Sequence, residues 1–195
     1  MTPNEITETS NRIAETLKNV YKTLKSDSKF QSLVDGLNAF YDNEGGMSHT
    51  DFNLDDDNLY HTEYGGNKSE KTYTGAIHLT DDDLGYLFLE GSCEKDVRGS
   101  IGTYFAIGRN FRRQKALYVD YKEEAKVTDK VYAYMANVLK AEARKQKLNL
   151  KPSTKNVGGA SHNAFLFDVS LGKAVKLSEM QQKRFEGILE KYTQE

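Results

Sequence analysis

Between Tyr104 and Lys122 the 195-residue chain gathers cations and aromatic rings in a pattern suited to a polyanion. Arg109, Phe111, Arg112, Arg113 and Lys115 surround a polar stretch, 110–114, that reads as a hairpin tip, with Tyr104 and Tyr118 on the flanking strands. Guanidinium and ammonium groups seek phosphates, while aromatic rings offer flat faces on which bases stack. Single-stranded nucleic acid is bound by that combination. Gly102, Ala106 and Gly108 share the outward phase of the first of these strands with Tyr104, which leaves room for a flat ligand. Lys140, Arg144, Lys145 and Lys147, with Lys151 and Lys155 beyond them, extend the basic track from the end of a predicted helix. The same cations also suit a solvated hairpin and a dipole-matched helix terminus. The strand signature of RNA-recognition modules is not met, because Arg98-Gly99 is followed by Ser100-Ile101 and not by alternating aromatics.

The other chemistry-bearing residues form weaker patterns. Four histidines, His49, His61, His78 and His162, lack the spacing of a zinc site. Ile77-His78-Leu79-Thr80 resembles the H-x-T element of the two-histidine phosphoesterases. In that family two such strands set both imidazoles about a phosphodiester as acid and base. The later copy, His162-Asn163-Ala164, has alanine where the resemblance requires Thr or Ser, and Asp81-Asp82-Asp83 follows the first copy. Asp51, Asn53 and Asp55 stand at positions one, three and five of an EF-hand-like loop, but Asp56 replaces its glycine and Thr62 its final glutamate. Cys93 has Glu94 beside it, which opposes a thiolate. Gly158-Gly159 lacks the Gly-Lys-Ser/Thr of a phosphate loop, and no G-x-S-x-G elbow occurs. No catalytic residue, metal ligand or cofactor is expected.

The elements that must carry these residues follow from periodicity. Ile13, Leu17, Val20, Tyr21 and Leu24 form one stripe of a helix over 4–25. Phe30, Leu33, Val34, Leu37, Phe40 and Tyr41 stripe a second, capped by Asp27 or Ser28 and closed by Gly45-Gly46. The short link predicts an antiparallel helical hairpin. From 58 the period falls to two, predicting strands at 58–64, 71–79, 85–91, 101–109 and 115–122. A third helix is expected from a Thr128 cap to about Lys147, then a polar loop over 151–161 and a strand over 164–169. A last helix is expected to open at Ser178, with Phe185, Ile188, Leu189 and Tyr192 inside. The expected architecture is α+β: a helical hairpin, a mainly antiparallel sheet of five to six strands, and two C-terminal helices packed on it. One domain is expected over 1–195, with the hairpin at 1–46, the sheet at 58–122 and helix-strand-helix at 126–195.

Charge is unevenly distributed. Residues 1–97 hold 8 Lys/Arg against 19 Asp/Glu, a formal −11, whereas 98–155 reach +9 and 156–195 are neutral, so the net −2 conceals a division. A single cysteine rules out a disulfide framework, and no apolar run approaches the roughly 20 residues of a membrane span. The start lacks the pattern of a signal peptide, so a cytoplasmic location is expected. Together these features predict a non-enzymatic protein that binds single-stranded RNA or DNA through Tyr104, Arg109, Phe111, Arg112, Arg113, Lys115, Tyr118, Lys140, Arg144, Lys145 and Lys147. The alternatives are a protein-interaction module, such as an inhibitor or assembly factor, and a degenerate phosphoesterase. The module would engage a partner or a second copy through acidic 51–97 and basic 98–155.

Overall fold

The computed structural model describes residues 2–45, 51–54, 58–67, 70–81, 85–95, 101–111, 121–153 and 162–171. Their order is α1 (Pro3–Ser26), α2 (Ser28–Gly45), β1 (Leu59–Asn67), β2 (Glu70–Asp81), β3 (Gly85–Lys95), β4 (Ile101–Phe111), α3 (Tyr121–Lys145), β5 (Leu148–Pro152) and β6 (His162–Leu171). This is an α+β fold, and all six strands join one antiparallel sheet in the order β1-β2-β3-β4-β6-β5.

α1 starts at a capping box in which Thr2 accepts from the Glu5 amide and the Glu5 carboxylate accepts from the Thr2 amide. Asp27 then serves both helices: its amide caps the end of α1, and its carboxylate accepts from the Lys29 amide at 2.9 Å. The predicted stripes are the buried ones. Ile13, Leu17, Val20 and Leu24 of α1, and Phe30, Val34, Leu37 and Tyr41 of α2, all enter the core. α1 lies over β2 and β3, whereas α2 leans on α3 more than on α1. Asn38 pins the segment after α2, exchanging two hydrogen bonds with the Phe52 backbone at 2.8 and 3.1 Å, and Asn53 then bridges to Thr80 of β2.

Strand register decides which residues meet the helices. Ile77, Leu89, Ile107 and Phe165 are aligned across four strands and buried, as are Phe105 and Phe167 one step away on the same face. Two aligned glycines let α1 settle close to this face. A Cβ on Gly91 would stand 2.8 Å from Ile13 Cγ2 and 2.6 Å from the Phe105 ring, and one on Gly75 would meet Leu17 at 3.0 Å. No described helix covers the opposite face.

Several boundaries depart from the sequence reading, among them β1, which runs on through Gly65, Gly66 and Asn67, read as a turn, and β3, which reaches Lys95. α3 starts at Tyr121, not at Thr128, and absorbs the end of the strand expected over 115–122. Glu123 and Glu124 favour the earlier start by complementing the helix dipole. The Thr128 hydroxyl is an internal group that donates back to the Glu124 carbonyl at 3.0 Å. Lys151 and Pro152, read as loop, belong to β5. Asn110 and Phe111, read as hairpin tip, still pair with Tyr86 and Gly85 of β3. The remainder of the expected tip, and the helix expected from Ser178, lie outside the described residues. No described helix is long and apolar enough to cross a membrane.

Candidate nucleic-acid interface

The helix-free face of the sheet carries an aromatic ladder across three strands. Tyr60 on β1, His78 on β2 and Tyr86 on β3 all point away from the helices, because they alternate with the core-facing Leu59, Ile77 and Leu87. The His78 ring lies 4.8 Å from that of Tyr60 and 4.2 Å from that of Tyr86, the latter nearly parallel at 21°. Phe88 continues the series, edge-on to Tyr86 at 6.3 Å. Tyr60 is the large hydrophobic residue most open to solvent among the described residues, 48% exposed, while His78 and Tyr86 are half-buried. Phe88, Ser92 and Ala106 on this face are buried, while Thr74, Ala76, Glu90 and Tyr104 are half-buried like His78 and Tyr86.

Hydrogen bonds fix the rungs. The Asn110 side chain donates to the Tyr86 hydroxyl at 2.9 Å, and the Asn58 amide donates to Thr80 Oγ1 at 3.1 Å on the neighbouring strand. Burial holds the His78 imidazole below its ordinary pKa of 6.5, so near neutral pH it is an uncharged flat ring. Such a surface offers stacking without a fixed charge.

The charged candidates are divided between faces. Tyr104 is on the helix-free face, where its hydroxyl donates to Glu90 at 2.7 Å. Arg109 is on the helix face, in phase with Phe105 and Ile107, and its Nη1 lies 2.6 Å from Glu124 Oε1. Glu124 also accepts from the Tyr41 hydroxyl at 2.7 Å, so a carboxylate almost wholly removed from water ties α2, α3 and β4 together. Burial and this carboxylate both push the Tyr41 phenol up. Burial opposes the Arg109 charge, but Glu124 outweighs it and the guanidinium is held more firmly protonated than usual. Arg109 is therefore tied to α3 on the helix face, with part of its side chain still reached by water.

Lys140, Arg144, Lys145 and Lys147 stand at the end of α3, on the helix side, next to β5 at the far edge of the sheet from the ladder. Lys145 pairs with Glu142 at 2.6 Å, and Arg144 and Lys147 are exposed. Lys147 holds the turn into β5 with a φ of 54°, a left-handed conformation. Phe111 ends β4 opposite Gly85, one residue from Tyr86; its side chain and the whole of Arg112, Arg113, Lys115 and Tyr118 lie outside what the structure describes. In the chain, Arg112 is two residues from Asn110, the partner of the Tyr86 hydroxyl.

The two histidines of the phosphoesterase reading lie on strands that are not neighbours. His78 pairs with Phe88 of β3 and His162 with Arg109 of β4, with two strands between β2 and β6. Cys93 is buried, its sulfur 3.9 Å from the Ile6 carbonyl. Among the described residues no group of three or more His, Cys, Asp or Glu side chains is arranged to hold a metal.

The ladder escapes a charge-based reading because its members are spread from residue 60 to residue 86. Its available signal was phase: Tyr60, His78 and Tyr86 are rings on the polar side of alternating strands. The same rule applied to Arg109 aligns it with Ile107 and assigns it to the core face. Comparison with protein-family models, with characterised proteins and with solved structures gave no match.

Proposed function

We propose that the protein is a non-enzymatic binder of single-stranded nucleic acid that stacks bases on the Tyr60–His78–Tyr86 ladder. One observation carries the reading: three rings spaced 4.8 and 4.2 Å apart on a sheet face without a described helix. Base–aromatic stacking tolerates any sequence because every base presents a π-face. Phosphates would be met by Arg112, Arg113 and Lys115, which follow β4 directly from the Tyr86 end of the ladder. In this reading Tyr104, bonded to Glu90, lies on the same face, whereas Arg109 and the cations ending α3 contribute fold stability and general positive potential.

Fluorescence anisotropy with labelled single-stranded RNA and DNA tests the proposal. Tyr86→Ala should weaken binding by about ten- to a hundredfold, the loss of one stacked base. Arg112→Glu/Arg113→Glu should weaken it further and flatten its salt dependence. Absence of binding by the intact protein at about 50 mM salt, where counterion release favours association most, defeats the reading.

A second reading, a protein-interaction module, is favoured by the carboxylates of Glu90 and Asp168 on the same face as Tyr104. Salt-sensitive capture of a basic protein partner, with no nucleic-acid affinity, would select it.

A further inference from the structure

The two edges of the sheet are built differently. β5 has five residues, carries Lys151 and ends at Pro152, which has no N–H to offer. Short length, lysine and proline are the devices by which natural sheets discourage strand addition. β1 has none of them. It runs nine residues, Leu59-Tyr60-His61-Thr62-Glu63-Tyr64-Gly65-Gly66-Asn67, without proline, lysine or arginine, and among the described residues it pairs with β2 alone. Tyr60 and His61, at the start of this strand, are both exposed. The irregularity between Gly65 and Asn67 confines straight pairing to the segment before it.

That segment is self-complementary. Tyr60-His61-Thr62-Glu63-Tyr64 reads alike from either end, except that His61 is mirrored by Glu63. Two copies laid antiparallel about a twofold axis at Thr62 align each Tyr60 with the partner's Tyr64 and each His61 with the partner's Glu63. Slipping the axis to Glu63 opposes two like carboxylates. Slipping it to His61 opposes two imidazoles and sets Leu59 against the partner's Glu63. Only the Thr62 register aligns both aromatic pairs and sets each imidazole opposite a carboxylate.

We infer that β1 is a homodimerisation edge, to which a second copy of this chain adds its own β1 in the Thr62 register to form one continuous sheet. The axis stands perpendicular to the sheet, so both ladders face the same side and Tyr60 of each copy borders the join. The inference stands apart from the nucleic-acid reading, since it rests on edge chemistry and needs no ligand.

Light scattering and sedimentation across micromolar concentrations test it. The wild type should reach twice the 22.1 kDa of the single chain. His61→Glu, which sets two carboxylates opposite each other at both ends of the join, should raise the dissociation constant about tenfold or more. His61→Glu/Glu63→His restores the complementary order and should restore the dimer, with circular dichroism unchanged in both variants. A wild type that stays at single-chain mass up to about 100 µM overturns the inference. So does a His61→Glu protein that dimerises undiminished, or a double variant that fails to recover.

Discussion

Glu124 receives donors from two elements other than its own, Arg109 of β4 and Tyr41 of α2, in a setting where its side chain is 3% exposed and that of Arg109 20%. Removing one partner of such a pair leaves the other charge without compensation. Glu124→Ala should therefore cost about 3 kcal/mol in urea denaturation, the low end of the range for buried pairs because Arg109 keeps some contact with water. Arg109→Met/Glu124→Leu should recover most of that loss, because apolar replacement of both partners removes the stranded charge. His78 supplies the pH dependence. Its folded pKa lies below 6.5, so the unfolded chain takes up a proton first as pH falls. The stability contributed by the neutral ring is complete above 6.5 and is lost as pH drops toward the folded value. His78→Phe should keep the stack and flatten the fall in stability as pH drops below 6.5. A variant whose stability falls with pH as steeply as the wild type would refute the assignment.

At the scale of elements, the closest tolerance is where α1 crosses the sheet. Gly91→Ala must displace both Ile13 and the Phe105 ring, neither of which is a loose surface group, and should cost about 1–3 kcal/mol by overpacking. A substitution without cost, measured by thermal or urea unfolding, would show that α1 rides higher than the close contacts imply. The helices here were legible in sequence because each apolar stripe repeats over several turns. Strands were legible in phase but not in extent: β2, β3 and β4 continue through Gly, Asn and charged residues whose ladder bonds do not depend on side-chain type. The start of α3 was hidden because Leu117, Val119 and Tyr121 alternate like a strand, while Thr128 imitates a cap. β5 was hidden by Pro152, which an edge strand tolerates and a central strand does not. Of the candidate site, the need for aromatic rings was legible and their location was not. Register is a long-range property that brings residues 60, 78 and 86 together only after three strands have paired.

For the molecule as a whole, folding pairs some cations of the basic centre with carboxylates of that same segment, not with those of the acidic first half. Arg109 is paired with Glu124, and Lys145 with Glu142. Arg144 and Lys147 remain at one sheet edge, with the ladder toward the other. Substituting both of these exposed cations should lower nucleic-acid affinity by a small factor that salt erases, whereas loss of a ladder ring should persist at about 0.2 M salt. Equal salt sensitivity of the two losses would mean that binding is only a matter of net charge.

The sheet order has a consequence in time. β6 lies between β4 and β5, yet it is the last of these three strands to be synthesised. β1 to β4 can zip as successive hairpins and α3 can settle on them, but β5 then waits with a strand-wide gap beside it. Until the ribosome has released Leu171, the inner edge of β4 is open and its Phe105 and Ile107 lack their neighbours Phe167 and Phe165. Insertion of β6 is thus the long-range step against which the rest of folding must be held in reserve. Truncated, released chains that end between 153 and 162 should collect in aggregates, and chains extended past 171 should not. Pelleting of such released chains would measure that threshold directly.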